Sequence, residues 1–200
     1  MDEPLEDSLA ALPHHVLRSG QATALAFLGR GCLTLREAAA YLWTLPYGRN
    51  TNPSDPLCVL EEGRGTCSSK HALLARLLAE EGVSGIELYL GIYEMSEANT
   101  AGVGRVLARY GLESIPEAHC YLRKGRQRID VTRPVRPGQA TIEPFLFEQA
   151  ITPDQVGEYK RNVHRRVLGE LAGKGAYHQF TPEALWLIRE ECIAAISDEA

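Results

Sequence analysis

The stretch "GRGTCSSKHALLARLLAEEG", residues 63–82, places a cysteine shortly after two glycines and at the start of a helical pattern. Leucines recur along it at helical spacing, with alanines between them, at positions 73, 74, 77 and 78. Gly82 stands where a glycine commonly ends a helix. The stretch therefore predicts a buried helix from about residue 67 to 81, with Cys67 in its first turn.

The segment before this stretch predicts another helix and then a loop. Thr34 and Glu37 have the spacing of a capping box, and "LREAAAYLWTL" supplies strong helix formers up to Pro46. The run "PYGRNTNPSDP", residues 46–56, is rich in proline and asparagine, which is typical of a loop. We therefore expect a helix over about residues 35–45 and a loop that leads toward Cys67.

The segment after the stretch predicts strands and then more helices. The run "IELYLGIYEM", residues 86–95, alternates as a half-buried strand does. Residues 117–123, "EAHCYLR", and residues 126–132, "RQRIDVT", predict two antiparallel strands joined at Lys124 and Gly125. Beyond residue 137, Thr152 and Thr181 each precede a proline and are typical helix starts. This order predicts an α+β fold with N-terminal and C-terminal helices.

Length and composition indicate an ordinary globular chain. With 200 residues, 44% of them hydrophobic and 24% charged, the chain suits one hydrophobic core. We expect a single domain over residues 1–200, with a C-terminal helical extension over about 145–200. A net charge of −5 and a pI near 5.7 argue against a general nucleic-acid-binding protein, which normally carries a basic surplus.

The cysteines and the first residues favour a cytoplasmic protein. The five cysteines are an odd number without a Cys-x-x-Cys pair, so they predict neither a disulfide framework nor a four-thiolate zinc site. The first residues are acidic, whereas a signal peptide begins with positive charge. No apolar run approaches the roughly 18 residues of a membrane span. We therefore expect a reducing compartment, the cytoplasm, and no membrane partner.

A hairpin over residues 117–132 predicts that a histidine faces an aspartate. A turn centred on Lys124 and Gly125 places His119 directly opposite Asp130. Opposed side chains in such a pair have Cβ atoms about 5 Å apart, so the carboxylate would bond the imidazole and fix its tautomer. The same register places Cys120 opposite Ile129 on the other face, where we expect both to be core residues.

These residue types together point to acyl transfer. The positive end of a helix lowers the pKa of a thiol in its first turn, which is the position predicted for Cys67. A thiolate, an imidazole and an orienting carboxylate form the nucleophile, base and orienter of thiol catalysis. Gly63 and Gly65 would let the backbone turn just before Cys67, whose amide N–H would serve as one oxyanion donor.

The same segments resemble the core of the transglutaminase-like superfamily, which has a papain-like fold. The resemblance covers about residues 36–133 and is carried by "AAAYLWTLPYG", "LEEGRGTCSSKHALLARLLAEEGV", "EAHCYL" and "RIDVT". It implies a nucleophile helix packed on an antiparallel sheet. It also implies that Cys67, His119 and Asp130 are the catalytic residues and that Trp43 or Tyr47 is the aromatic that assists the oxyanion.

The resemblance implies a reaction class without fixing a substrate. Members of the family include transglutaminases, peptidases and other amidases, so we expect a hydrolase or acyltransferase that forms an acyl-cysteine and needs no cofactor. The alternative is a catalytically inactive member of the fold that binds a peptide or small molecule. Cys120 stands directly after His119, where the family often has an aromatic. The sequence leaves the oligomeric state open.

Metal binding is a further alternative for the same residues. Cys67 and His71 lie four residues apart and would share a helix face, and His119 with Cys120 offers two more ligand types. Adjacent strand residues point to opposite faces, so His119 and Cys120 should not reach one ion together. We therefore expect no metal at this site.

Basic residues next to the predicted hairpin suggest a substrate with negative charge. Six basic residues surround the single acid Asp130: Arg123, Lys124, Arg126, Arg128, Arg133 and Arg136. A solvated hairpin tip explains most of them. Arg128 and Tyr121, however, are expected beside the site, where they would bind a carboxylate or phosphate of a peptide or small-molecule acyl substrate. A second basic cluster over residues 160–166 is expected to be an exposed helix face.

Overall fold

The computed structural model describes residues 3–52, 55–134 and 138–198. Within these ranges the chain forms eight α-helices and four β-strands, which confirms the α+β prediction. The helices are α1 (Glu3–Ala11), α2 (Ala22–Leu28), α3 (Leu35–Thr44), α4 (Cys58–Glu62), α5 (Cys67–Glu80), α6 (Gly104–Arg109), α7 (Glu158–Leu171) and α8 (Pro182–Asp198). The strands are β1 (Glu87–Ser96), β2 (Ser114–Lys124), β3 (Gln127–Ile129) and β4 (Phe145–Ile151). Short 3-10 helices lie at Pro153–Val156 and Gly175–Tyr177.

The four described strands form one antiparallel sheet in the order β3-β2-β1-β4. The prediction of a helical extension from about residue 145 is wrong over Phe145–Ile151, which form β4. Along this strand, half-buried Phe145, Phe147 and Gln149 alternate with exposed Leu146 and Glu148, which is the period of two of an edge strand. Of the two predicted helix starts, Thr181 directly precedes α8, whereas Thr152 precedes the 3-10 helix Pro153–Val156 and α7 begins only at Glu158.

The helices α3 and α5 begin at the residues predicted from the sequence. At α3, the Thr34 side chain accepts the Glu37 N–H and the Glu37 carboxylate accepts the Thr34 N–H, which completes the predicted capping box. A capping box that the sequence reading overlooked starts α5: Thr66 accepts the Ser69 N–H, and the Ser69 hydroxyl accepts the Thr66 N–H. Cys67 is therefore the first residue of α5, as predicted.

The predicted register of the β2–β3 hairpin is wrong by two residues. The observed pairs are Leu122 with Ile129, Arg123 with Arg128, and Lys124 with Gln127, so the turn consists of Gly125 and Arg126. Gly125 has φ +59°, and a tight hairpin turn of the II′ kind requires its glycine at the first central position, whereas the sequence reading placed it at the second.

The corrected register changes the partners without changing the faces. Ile129 pairs with Leu122 and is the last residue of β3. The ladder therefore contains neither of the predicted pairs, His119 with Asp130 and Cys120 with Ile129. Asp130 thus follows the last residue of β3. A shift of two residues is even, so each side chain keeps the face predicted for it. Cys120 and Ile129 are both fully buried, as the prediction of core residues requires.

The described chain divides into two compact units. The first comprises residues 3–52, 55–90, 120–134 and 150–157, and the second comprises residues 91–119, 138–149 and 158–198. The single domain expected over residues 1–200 stays a prediction.

The first unit is built around α5. This helix packs against α2, α3, α4 and the 3-10 helix at Pro153–Val156, and α1 packs against α3 and β3. The predicted leucine face of α5 is its core contribution, with the side chains at positions 73, 74, 77 and 78 all buried. Burying a leucine contributes about 1.5–3 kcal/mol, so this stripe is a large part of what fixes α5 in place.

The second unit contains the helix pairs α7–α8 and α6–α8. Its part of β1 departs from the predicted half-buried pattern, because Gly91, Ile92 and Tyr93 are all buried. A Cβ on Gly91 would lie 2.5 Å from the ring of Phe145 on β4. Glycine at this position therefore allows the Phe145 ring to cover the strand.

The described residues contain buried cysteines and no helix that could span a membrane. All five cysteines lie in the described residues, all are buried, and none forms a disulfide. Over residues 3–52, 55–134 and 138–198 no helix has the length and apolar character needed to cross a membrane.

Candidate active site

Cys67 occupies the predicted position at the start of a long helix. It is the first of the 14 residues of α5, directly after the Thr66 cap, and is 6% exposed. Its Sγ lies 3.8 Å from the hydroxyl oxygen of Ser68. In this position the thiol is close to the backbone N–H groups of the first turn, where negative charge is favoured.

Backbone pairing brings the segment of Tyr47 beside the residues that precede Cys67. The Gly65 N–H donates to the Pro46 carbonyl at 3.1 Å, and the Gly48 N–H donates to the Gly65 carbonyl at 3.3 Å. Tyr47 is one of the two aromatics expected at the oxyanion. Its backbone pairs with Gly65, which lies two residues before Cys67 in the chain. It is half-buried, whereas the other candidate, Trp43 on α3, is buried.

Lys70 is a buried cation of this region that the sequence reading missed. Its side chain is fully buried, and its ammonium donates to the carbonyls of Leu45 and Thr132, both at 2.6 Å. Burial lowers the pKa of Lys70 to about 8, while the charges of Asp130 and Cys67 act to raise it. The spacing of residues 67, 70 and 74 along the helix, three and then four apart, was the signal that Lys70 shares the buried face.

His71 connects the first turn of α5 to the segment after β3. It is fully buried; its Nε2 accepts the Val131 N–H at 2.9 Å, and its Nδ1 lies 2.7 Å from the Cys67 carbonyl oxygen. With Nε2 as acceptor, the ring is neutral and Nδ1–H donates to Cys67. The Nε2 lone pair that a metal would need is therefore engaged by backbone.

The described residues contain no cluster of side chains suited to a metal ion. In residues 3–52, 55–134 and 138–198, no three side chains of His, Cys, Asp or Glu converge as metal ligands do. The geometry of His71 thus argues against the alternative in which Cys67 and His71 bind a metal together.

Asp130 is held firmly although it lies outside the strand. Its Oδ1 accepts from the Thr132 N–H at 2.9 Å and from the Thr132 hydroxyl at 2.6 Å. Its backbone N–H donates to the Ser8 hydroxyl, which in turn donates to the Asp130 carbonyl. The Asp130 side chain is 27% exposed and lies 3.6 Å from Nε2 of His71. Asp130, Lys70 and Cys67 all belong to the first unit, and the charges of Asp130 and Cys67 act to raise the pKa of Lys70.

His119 lies in the second unit, on β2. It is 4% exposed. Its ring contacts the ring of Tyr93 edge to face, with the ring centroids 6.2 Å apart. The Tyr93 hydroxyl lies 3.0 Å from the Thr100 hydroxyl, which fixes that ring in turn. His119 therefore has a defined orientation within its own unit.

Tyr121 and Arg128 belong to a stack of aromatic and guanidinium groups in the first unit. Tyr121 is buried and stacks on Tyr89 with ring centroids 6.0 Å apart. The Arg128 guanidinium lies 4.9 Å from the centre of the Tyr121 ring, and that of Arg123 lies 3.5 Å from the centre of Tyr89. The Arg128 guanidinium is thus in cation–π contact with the Tyr121 ring. Arg136, the last member of the predicted basic cluster, lies outside the described residues.

Comparisons of this chain with family models, with curated proteins and with solved structures find no match. The resemblance to the transglutaminase-like superfamily therefore stays a prediction that rests on the residues of this chain.

Proposed function

We propose that this protein is a thiol-dependent hydrolase or acyltransferase that cleaves an amide or related acyl bond through a covalent acyl-Cys67 intermediate. The proposal includes a transglutaminase-like, papain-like core in which α5 packs on the sheet as the nucleophile helix. One observation carries it: Cys67 is the first residue of α5, and the buried ammonium of Lys70 lies one turn further along the same helix.

In the acylation step the Cys67 thiolate attacks the carbonyl carbon of the acyl donor. A C–S bond forms while the carbonyl electrons move to oxygen, and the Cys67 N–H is one donor to that oxyanion. When the intermediate collapses, the bond to the leaving group breaks. His119, as imidazolium, gives its proton to that group, and Asp130 is the carboxylate that orients the ring.

In the deacylation step an acceptor attacks the thioester. Water or an amine loses a proton to His119, bonds to the acyl carbon, and releases Cys67 as thiolate when the C–S bond breaks. Water gives hydrolysis and an amine gives transfer. These steps need no metal and no organic cofactor.

The proposed acyl donor is a peptide or small molecule with negative charge. Arg128, supported by the ring of Tyr121, offers a guanidinium to a carboxylate or phosphate near the scissile bond. The net charge of −5 disfavours nucleic acid as a partner. Five cysteines without a disulfide suit a reducing compartment, so we place the reaction in the cytoplasm.

A binding module without turnover is the second candidate. The observation in its favour is the low exposure of Cys67, 6%, since a thiol covered by its neighbours meets a substrate only after they give way. Such a protein would bind a peptide or small molecule without forming an acyl-cysteine.

Turnover of a substrate panel tests the proposal. The panel contains amides, esters and thioesters, each with and without a carboxylate near the scissile bond, and the protein is followed by intact mass for an acyl adduct. Cys67→Ala is expected to abolish turnover and adduct, a loss of about 10³-fold or more in rate. Cys58→Ala is the matched control, because Cys58 is also buried at the first residue of a helix and should leave both unchanged.

The two candidate functions give opposite results in that assay. An acyl adduct on residue 67 that turns over supports the enzyme. Saturable binding of panel members without adduct or turnover overturns the proposal and supports the binding module.

A further inference from the structure

Resting on the proposed function of Cys67, we further propose that Lys70 is a positioning residue whose buried ammonium favours the thiolate of Cys67, so that the nucleophile is ionised from within α5 as well as by His119.

The geometry of α5 places Lys70 and Cys67 on one face. Residues three apart on a helix are surface neighbours with Cβ atoms about 5–6 Å apart. The Lys70 side chain is fully buried, so its charge faces the interior and not water. Gly65 makes room for it: a Cβ on Gly65 would lie 3.0 Å from the Lys70 Cγ.

Two carbonyl groups fix the position of the ammonium. The oxygens of Leu45 and Thr132 accept from Nζ at 2.6 Å each, and they come from the end of α3 and from the segment after β3. A long lysine side chain normally samples many rotamers, and these two bonds remove that freedom. The charge is therefore held at one place relative to the first turn of α5, which is what a preorganised electrostatic group requires.

Lys70 responds to the charge on Cys67. Burial lowers the pKa of Lys70 to about 8, and the two charges that act to raise it are those of Asp130 and Cys67. The interaction of a cation with an anion is mutual, so the ammonium that the thiolate stabilises also stabilises the thiolate. Lys70 is thus a buried cation of α5 whose charge interacts with that of Cys67.

Several other charged groups near α5 have partners of their own. The helix α2 carries no titratable side chain. The titratable side chains on the remaining elements that pack against α5 are Arg36, Glu37 and Tyr41 of α3, Cys58, Glu61 and Glu62 of α4, and Asp154 of the 3-10 helix. Arg36 bonds the Leu12 carbonyl, Glu62 accepts from Thr51, and Asp154 pairs with Arg76.

A residue that only braces the backbone would behave differently from one that sets the ionisation of the thiol. If Lys70 only braced the backbone, a neutral hydrogen-bond donor at position 70 would be enough to keep the first turn in place, and the titration of Cys67 would be unchanged. The pH profile of the thiol therefore separates the two roles.

The test is alkylation of the native protein by limiting iodoacetamide between pH 5 and 9, with peptide mapping of residue 67. Lys70→Met and Lys70→Gln remove the charge, and glutamine keeps a donor for the carbonyls. Lys70→Arg keeps the charge. Arg76→Met is the matched control, since it removes a cation from the same helix at a site paired with Asp154.

We expect both neutral variants to slow alkylation of Cys67 at pH 6.5 by at least about tenfold and to move its midpoint to higher pH. Lys70→Arg should restore much of the rate, and Arg76→Met should match the wild type. An unchanged midpoint in Lys70→Gln, with the variant folded by circular dichroism, overturns the inference. Failure of the proposed function gives a different result. In that case the wild type shows no acyl turnover, while the midpoint of Cys67 alkylation still differs between wild type and the neutral variants.

Discussion

Replacing Glu117 by glutamine is expected to lower the free energy of unfolding by about 3–5 kcal/mol, because Glu117 is the more buried of the two carboxylates, Glu117 and Glu190, that pair with the buried Arg189 guanidinium. Glu117 and Arg189 are 5% and 8% exposed. Arg189 donates to both carboxylate oxygens, through Nε–H to one and through Nη2 to the other at 2.7 Å. Urea-induced unfolding followed by circular dichroism measures the loss.

An exposed ion pair in the same unit provides the matched control. Arg109 and Glu191 also form an ion pair, at 2.7 Å, but their side chains are 63% and 40% exposed. Glu191→Gln is expected to cost no more than about 1 kcal/mol, because water screens such pairs. Equal losses in the two variants would contradict the distinction between the buried and the exposed pair.

The stabilisation by Glu117 is also expected to depend on pH. Burial acts to raise the pKa of Glu117, but the charge and hydrogen bonds of Arg189 outweigh burial and lower it to about 2. Since the folded-state pKa lies below the unfolded value of about 4.5, the stabilisation is complete above pH 4.5 and is lost as the pH falls toward 2. The difference between wild type and Glu117→Gln should therefore shrink between pH 5 and pH 3.

Replacing His119 by alanine is expected to lower the rate of acyl turnover by about 10²- to 10⁴-fold, the usual contribution of a general acid–base. The proposed reaction uses the imidazole twice, once as acid in acylation and once as base in deacylation. The residual rate should also lose the limb of the pH profile that reports the ionisation of His119. Steady-state kinetics on the best member of the substrate panel measures both effects.

His178 is the matched control for this replacement. It lies in the same unit as His119 but is exposed, with Nδ1 3.1 Å from the Gly175 carbonyl oxygen. His178→Ala should retain the full rate and pH profile. Retention of the wild-type rate by His119→Ala would contradict a role of the imidazole in the reaction.

Local sequence patterns predicted the helices that position Cys67. The capping box of α3 and the leucine spacing of α5 act within a few residues, so the sequence alone predicts both helices to within one residue at each end. The hairpin shows where a local pattern is too weak. The sequence Lys-Gly-Arg is compatible with a turn at Lys124 and Gly125 or at Gly125 and Arg126. The positive φ of Gly125 selects the second, with glycine at the first central position.

Long-range contacts explain what the sequence did not predict. The two carbonyls that hold the Lys70 ammonium are 25 and 62 residues away in the chain, and Glu117 is 72 residues from Arg189. A buried charge is tolerated only when distant groups compensate it, and no spacing rule predicts such partners. β4 was missed because its period of two spans only seven residues.

The measurement to make first is alkylation of the native wild type and of His119→Ala by limiting iodoacetamide from pH 5 to 9, with each of the five cysteines followed by peptide mapping. Burial raises the pKa of Cys32, of Cys58 and of Cys192, the last to about 12, so these thiols should react slowly. If Cys67 is an activated nucleophile, it is labelled first, well below the free-thiol pKa of about 8.5, and this selectivity falls in His119→Ala. Labelling of Cys67 only above pH 8, whatever residue stands at position 119, would contradict its role as the nucleophile.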